Sequence, residues 1–121
     1  MLERNKLLAL LSKARILRIR AGDGVHRFIG IWVVVVEGRV FVRSWSLTAA
    51  GWYKTFAKEP RGAIQVQGEE IGVRAFPVKD KRLRDAIDRA YLEKYNTRGS
   101  LKYAKDLCSP KSRATTLELV V

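Results

Sequence analysis

Hydrophobic positions along the chain recur in two rhythms, one of about 3.6 residues and one of two, which divide it into short helices and short strands. In residues 1–14, Leu7, Leu8, Leu11 and Ala14 fall on one helical face. Arg15 to Ala21 alternates instead: Leu17, Ile19 and Ala21 point one way, Arg18 and Arg20 the other, which predicts a half-buried strand. Gly22-Asp23-Gly24 marks a turn, because glycine takes up the positive φ that tight turns demand. Val25 to Val36 carries Ile29, Ile31, Trp32 and the valines Val33 to Val36, apolar on both faces, the pattern of a central strand covered on two sides. Glu37-Gly38 predicts a two-residue hairpin turn, from which Arg39 to Trp45 returns antiparallel. There Val40, Val42 and Ser44 share one face, and Phe41, Arg43 and Trp45 the other.

In the second half, Thr48 is placed to cap a short helix that ends before Pro60, with Trp52 and Phe56 one turn apart as its anchors. Ala63 to Gln67 and Ile71 to Val78 predict a second hairpin around Gly68-Glu69. Asp80 is placed to cap a longer helix through about Tyr95, with Leu83, Ile87 and Tyr91 on its inner face. Lys81–Asp85, Arg84–Asp88 and Arg89–Glu93 have the spacing of ion pairs on its outer face. Residues 100–107 predict further helical turns, and Thr115 to Val121 a closing strand with Leu117, Leu119 and Val121 on one face. The class is therefore α+β: about six strands in an antiparallel meander, with helices at the ends and corners. One domain spans residues 1–121, divided into a helix (1–14), barrel strands with a short helix (15–78), a helical stretch (79–107) and a closing strand (114–121).

Composition removes several chemistries. One cysteine (Cys108) and one histidine (His26) exclude a disulfide scaffold and the Cys/His clusters of zinc sites. Neither GxxxxGK[ST], GxGxxG nor a GxSxG elbow occurs. The apolar run from Phe28 to Val36 falls far short of the ~20 residues a membrane-spanning helix needs, and Leu7 to Leu11 is too short for a signal core; a cytoplasmic protein is expected. Against this plain background stands a net charge of +12, from 24 Lys+Arg and 12 Asp+Glu. Such an excess attracts anionic partners. It sits mainly at the two ends, where Arg15, Arg18 and Arg20 could join Lys102, Lys105, Lys111 and Arg113 in one patch for nucleic acid or another polyanion. A charged surface serving only solubility or heat stability is the alternative.

The run from Ile31 to Ser44, followed by Ala50-Gly51-Trp52-Tyr53-Lys54, Pro60 and Ala63-Ile64-Gln65-Val66-Gln67-Gly68, resembles the FMN-binding split β-barrel superfamily. It is most similar to the deazaflavin-dependent nitroreductase-like branch and to short uncharacterised bacterial relatives with the same layout. The resemblance covers roughly residues 15–78. It implies an antiparallel split β-barrel, a flavin- or deazaflavin-dependent oxidoreductase, and a homodimer with the pocket between subunits. Where that branch carries a Gly-Arg-(Lys/Arg)-(Ser/Thr)-Gly turn for the cofactor phosphate, this chain has Arg20 to Arg27, with glycines and basic residues but not the motif.

The resemblance also implies site residues. Arg43 and Ser44 end a strand ahead of a helix, and guanidinium plus hydroxyl is a phosphate-holding combination; Lys54 adds a charge one turn later, and Arg20 and Arg27 are further cofactor-binding candidates. Trp45 is the candidate to stack on FMN or a deazaflavin. Each has a plainer alternative: an edge arginine and a turn serine, a solvated Lys54–Lys58 face, a surface tryptophan. Trp52, spaced with Phe56, and Trp32, inside an apolar strand, read as core. His26 is either a surface residue, a proton donor or an axial haem ligand. Cys108 reads as a small buried hydrophobe. No residue stands out as a catalytic acid. The alternative function is a non-enzymatic module that binds nucleic acid or another polyanion through its basic termini.

Overall fold

The computed structural model describes residues 3–22, 27–45 and 51–121. Its elements run α1 (Arg4–Lys13), β1 (Leu17–Ala21), β2 (Ile29–Ile31), β3 (Val34–Val36), β4 (Arg39–Val42), α2 (Trp52–Lys58), β5 (Arg61–Val66), β6 (Glu69–Pro77), α3 (Lys81–Lys94), α4 (Leu101–Leu107), α5 (Pro110–Arg113) and β7 (Leu117–Val120). All seven strands form one antiparallel sheet in the order β2-β1-β5-β6-β7-β4-β3, curled into a half-barrel. The α+β split-barrel expectation holds, with seven strands in place of about six.

Alternation sets the inner face. Leu17, Ile19 and Ala21 of β1 are buried while Arg18 is exposed, and Ile19 pairs across the sheet with Ile64. Both hairpin turns place two consecutive residues at positive φ: Glu37 (55°) with Gly38 (71°), and Gln67 (51°) with Gly68 (79°). That backbone matches the right-handed twist of the strands it joins. The second turn lies one residue earlier than Gly68-Glu69. Helix α2 starts from Gly51 at its cap position, and Thr48 lies outside the described residues. Asp80 does occupy the cap position of α3, again with no side-chain bond.

The expected long central strand is the largest correction. Val25 to Val36 contributes two three-residue strands that stand at opposite edges of the sheet, with Trp32 and Val33 as the link between them. Its two-faced apolarity has another cause. Val33 belongs to the inner core with Leu7, Leu11, Val42 and Leu119, whereas Val34 belongs to an outer core with Phe41, Leu83, Ile87 and Tyr91. Helices α1 and α3 both pack on β3, so the segment is covered from both sides while lying at an edge. Nor is the sheet a simple meander, because β7 inserts between β6 and β4. Leu117 and Leu119 are buried as expected, but Val121 is 60% exposed.

The link is pinned from α3. The Tyr95 hydroxyl accepts from the Val33 N–H (3.1 Å) and donates to the Arg15 carbonyl (2.8 Å). Beside it, Lys94 Nζ donates to the carbonyls of Val33 (2.7 Å) and Leu11 (3.0 Å). Tyr95→Phe leaves a buried N–H without its partner and should cost about 1–3 kcal/mol in urea unfolding. Burial, with the Arg15 charge behind it, pushes Lys94 down to about 8. Between about pH 8 and the ordinary lysine value, 10.5, the unfolded chain therefore binds the extra proton, and stability rises with pH across that window. Wild type should gain stability relative to Lys94→Met between pH 7.5 and 9.5, read by urea midpoints at each pH.

Candidate functional site

A cavity of about 580 Å³ opens beside β2, walled by β1 and β2, the end of β4, the first turn of α2, and α4. The volume suits a small-molecule or cofactor ligand. All three tryptophans of the chain, Trp32, Trp45 and Trp52, line it, together with Tyr103 of α4. Ile19, Ile29 and Ile31 bring β1 and β2 to the wall, because alternation points their side chains to the inside of the curl.

The aromatic rings are held differently. Trp32 lies flat on Tyr95, with centroids 4.0 Å apart and planes within 1°. Trp52 meets Phe56 edge-to-face at 6.1 Å, which ties α2 to the inner core. Trp45 is 60% exposed at the mouth and meets Tyr103 edge-to-face at 5.6 Å. Polar side chains in the wall, apart from the aromatic ones, are few: Ser44, Thr55, Arg27 and Arg43. Among the described residues the wall contains no carboxylate, lysine or cysteine, and no group of three residues could hold a metal ion. His26 lies outside the described residues.

The sequence candidates separate on this geometry. Ser44, Trp45 and Arg27 line the cavity. Ser44 is buried, and its N–H donates to Thr115 Oγ1 (2.8 Å). Arg27 is exposed and forms no ion pair with the described residues. Arg43 borders the cavity, but its side chain is fully buried behind the wall. Its Nε donates to Thr116 Oγ1 (2.8 Å), Nη1 to the Asp88 carboxylate and the Leu107 carbonyl (2.9 Å), and Nη2 to the Arg84 carbonyl (3.0 Å). The phosphate reading of Arg43 is therefore corrected: the guanidinium is spent inside the protein. Arg20 faces the outside of the sheet, paired with Glu70 (2.9 Å) and lying over the Phe28 ring, and Lys54 is exposed on α2 away from the wall.

Asp88 joins Arg43 to Arg113 rather than pairing with Arg84, and Arg113 also holds Asp85 (3.0 Å). Hydrogen bonds from Lys81 and Arg113 hold the Asp85 carboxyl below its ordinary range. Burial pushes the Cys108 thiol up, with Asp88 adding to it, so it remains a protonated thiol, half-buried beside the Asp88 carbonyl. Of the basic residues at the two ends, Arg113 and Arg20 are paired with carboxylates and Arg15 donates to the Lys94 carbonyl (2.7 Å), whereas Arg18, Lys102, Lys105 and Lys111 are exposed. Trp32 and Trp52 pack against the outer and inner cores as expected, and both also reach the cavity wall. A lone tryptophan amid valines at Trp32 was a usable signal; nothing local singled out Tyr103.

The model of a family described as uncharacterized protein conserved in bacteria (DUF2255) matches residues 8–119. No protein of curated function matches the sequence. Among solved structures, the conserved hypothetical protein Rv2991 from Mycobacterium tuberculosis matches with TM-score 0.59 and 12% identity, covering 100% of this chain and 80% of its own. A Listeria innocua protein described as a pyridoxamine 5′-phosphate oxidase matches at 0.56 and 12% identity, covering 98% and 91%. A Mesorhizobium loti FAD-binding protein, mll6688, matches at 0.52 and 13% identity, covering 98% and 87%. These likenesses establish the split-barrel fold. No helix of the described residues is long and apolar enough to cross a membrane.

Removing the Arg43 guanidinium leaves the Leu107 and Arg84 carbonyls without their donor, while Asp88 keeps Arg113. Arg43→Met should lower the unfolding free energy by about 3 kcal/mol in urea titrations, the loss appearing without any ligand present.

Proposed function

Because the chain belongs to the DUF2255 family of uncharacterized proteins conserved in bacteria, and is built on a split barrel, we propose that its cavity binds a flavin-type cofactor, FMN or a deazaflavin, and that it acts as an oxidoreductase-like homodimer. The observation that carries this reading is the convergence of Trp32, Trp45 and Trp52 on one cavity of about 580 Å³. Flat, polarisable walls with few polar groups fit a tricyclic heteroaromatic ring. The fold neighbours include a protein described as a pyridoxamine 5′-phosphate oxidase and an FAD-binding protein, which supports the same ligand class.

Such a cofactor supplies hydride and electron transfer when bound. The chain's own residues bind and orient it. Trp45 and Ser44 line the ring site, and Arg27, with no carboxylate of the described residues to occupy it, is the cation available to a phosphate at the mouth. Ile19, Ile31 and Trp52 exclude water from the inner end. The absence of an acid or base from the described wall leaves proton handling to solvent or substrate. Ile29 (40% exposed), Trp45 (60%) and Tyr103 (40%) leave an apolar rim at the mouth, which a second copy of the chain would cover.

Titration with FMN, followed by tryptophan fluorescence, should give saturable quenching. Arg27→Ala should weaken FMN about tenfold, equivalent to ~1.4 kcal/mol, while leaving riboflavin, which lacks the phosphate, almost unchanged. Sedimentation velocity should show a dimer that Trp45→Glu converts to monomer. No saturable binding of FMN, riboflavin or a deazaflavin would refute the cofactor reading.

A further inference from the structure

We propose that Trp32, backed by Tyr95, is the stacking platform of the cavity, and that it selects a planar, electron-poor ring in its oxidised form over the reduced form. This rests on the flavin reading of the same cavity and adds to it which tryptophan holds the ring and which oxidation state it favours.

The inference comes from how rigidly the indole is held. Tyr95 covers one face of Trp32 at 4.0 Å with the ring planes nearly parallel, and Tyr95 is itself 1% exposed. The Tyr95 hydroxyl bonds the Val33 N–H and the Arg15 carbonyl, which fixes the phenol ring from its far end. Arg15 lies over the same ring at 4.8 Å and is anchored by its bond to the Lys94 carbonyl. With one face occupied, the remaining surface of Trp32 contributes to the cavity wall. A ring ordered in advance binds without the entropy cost that a mobile side chain carries. Trp45 lacks this support, being 60% exposed and touched by Tyr103 only at an edge.

Selectivity follows from the electrostatics of stacking. An indole presents an electron-rich face, and stacking is strongest against a ring of opposite character. An oxidised flavin-type ring is electron-poor; two-electron reduction reverses this and removes the complementarity. Two cations near Tyr95, Arg15 and Lys94, lie one ring removed from the cavity, so the indole remains the group facing the ligand. Reciprocity of linked equilibria then requires that binding make the ligand harder to reduce.

Riboflavin tests this without the phosphate. Wild type should bind oxidised riboflavin with a long-wavelength charge-transfer absorbance, and more tightly than the dithionite-reduced form by about tenfold. Trp32→Leu should abolish the absorbance and bring the two affinities together, whereas Trp45→Leu, at the mouth of the same site, should weaken both forms alike and keep the absorbance and the preference. Trp32→Phe preserves a ring against Tyr95 and guards against misfolding; with folding checked by circular dichroism, it should weaken the absorbance and narrow the preference. If Trp32→Leu and Trp32→Phe bind both forms as wild type does, the proposal fails while the flavin reading stands. If Trp45→Leu alone loses the absorbance, Trp45 is the platform and the proposal is overturned. If wild type binds no riboflavin, the proposal fails, and the flavin reading fails with it only if FMN and a deazaflavin do not bind either.

Discussion

The Arg43 guanidinium is the constraint on which the rest of the structure leans. A permanently charged group taken fully out of water is tolerated only when its donors are matched. Here the matching comes from four groups in three separate parts of the chain: the Asp88 carboxylate and Arg84 carbonyl of α3, the Leu107 carbonyl at the end of α4, and the Thr116 hydroxyl ahead of β7. One side chain at the end of β4 thus draws the helical second half of the chain onto the sheet. Asp88 extends the hold to Arg113, and Arg113 to Asp85, so the short α5 is joined to the same centre. Since α4 carries Tyr103 and Leu107, the outer wall of the cavity stands where it does because of this buried charge.

The cavity itself exists because the barrel does not close. In a fully closed small barrel, inward side chains fill the interior. This sheet leaves β2 and β3 as separate edges, although they are neighbours in sequence, and the Trp32-Val33 link carries the chain from one to the other. Space remains beside β2, and aromatic residues from β4, α2 and α4 surround it. The chain thereby supplies an aromatic-walled site with few polar groups among the described residues. Such a site suits the flat ring of the proposed cofactor.

Much of this was legible in the hydrophobic pattern. Alternation identified β1 and the β5–β6 hairpin, and Glu37-Gly38 identified a turn whose positive φ values it then showed. The spacing of Leu83, Ile87 and Tyr91 identified the buried face of α3. Local rules failed where distant elements decided the outcome. Val25 to Val36 reads as a single central strand because two different cores, not two sheet faces, require its residues to be apolar. Arg84–Asp88 has ideal helical spacing, yet Asp88 turns to Arg43 and Arg113, which are remote in sequence but better desolvated.

For the site, the sequence by itself determined the ingredients: the positive charges, three tryptophans, and a strand end with Arg43 and Ser44 ahead of a short helix. Residue type and short-range spacing set those, because helix and strand periodicity act over a few residues. Only the tertiary structure decided their roles. It buried Arg43 as a structural tie, turned Arg20 and Lys54 away from the cavity, left Arg27 at its mouth, and brought Trp32 and Tyr103 into its wall. The reason is physical: whether a charge faces a ligand or a carboxylate depends on what the folded chain places beside it, and those neighbours lie 41 to 73 residues away from Arg43.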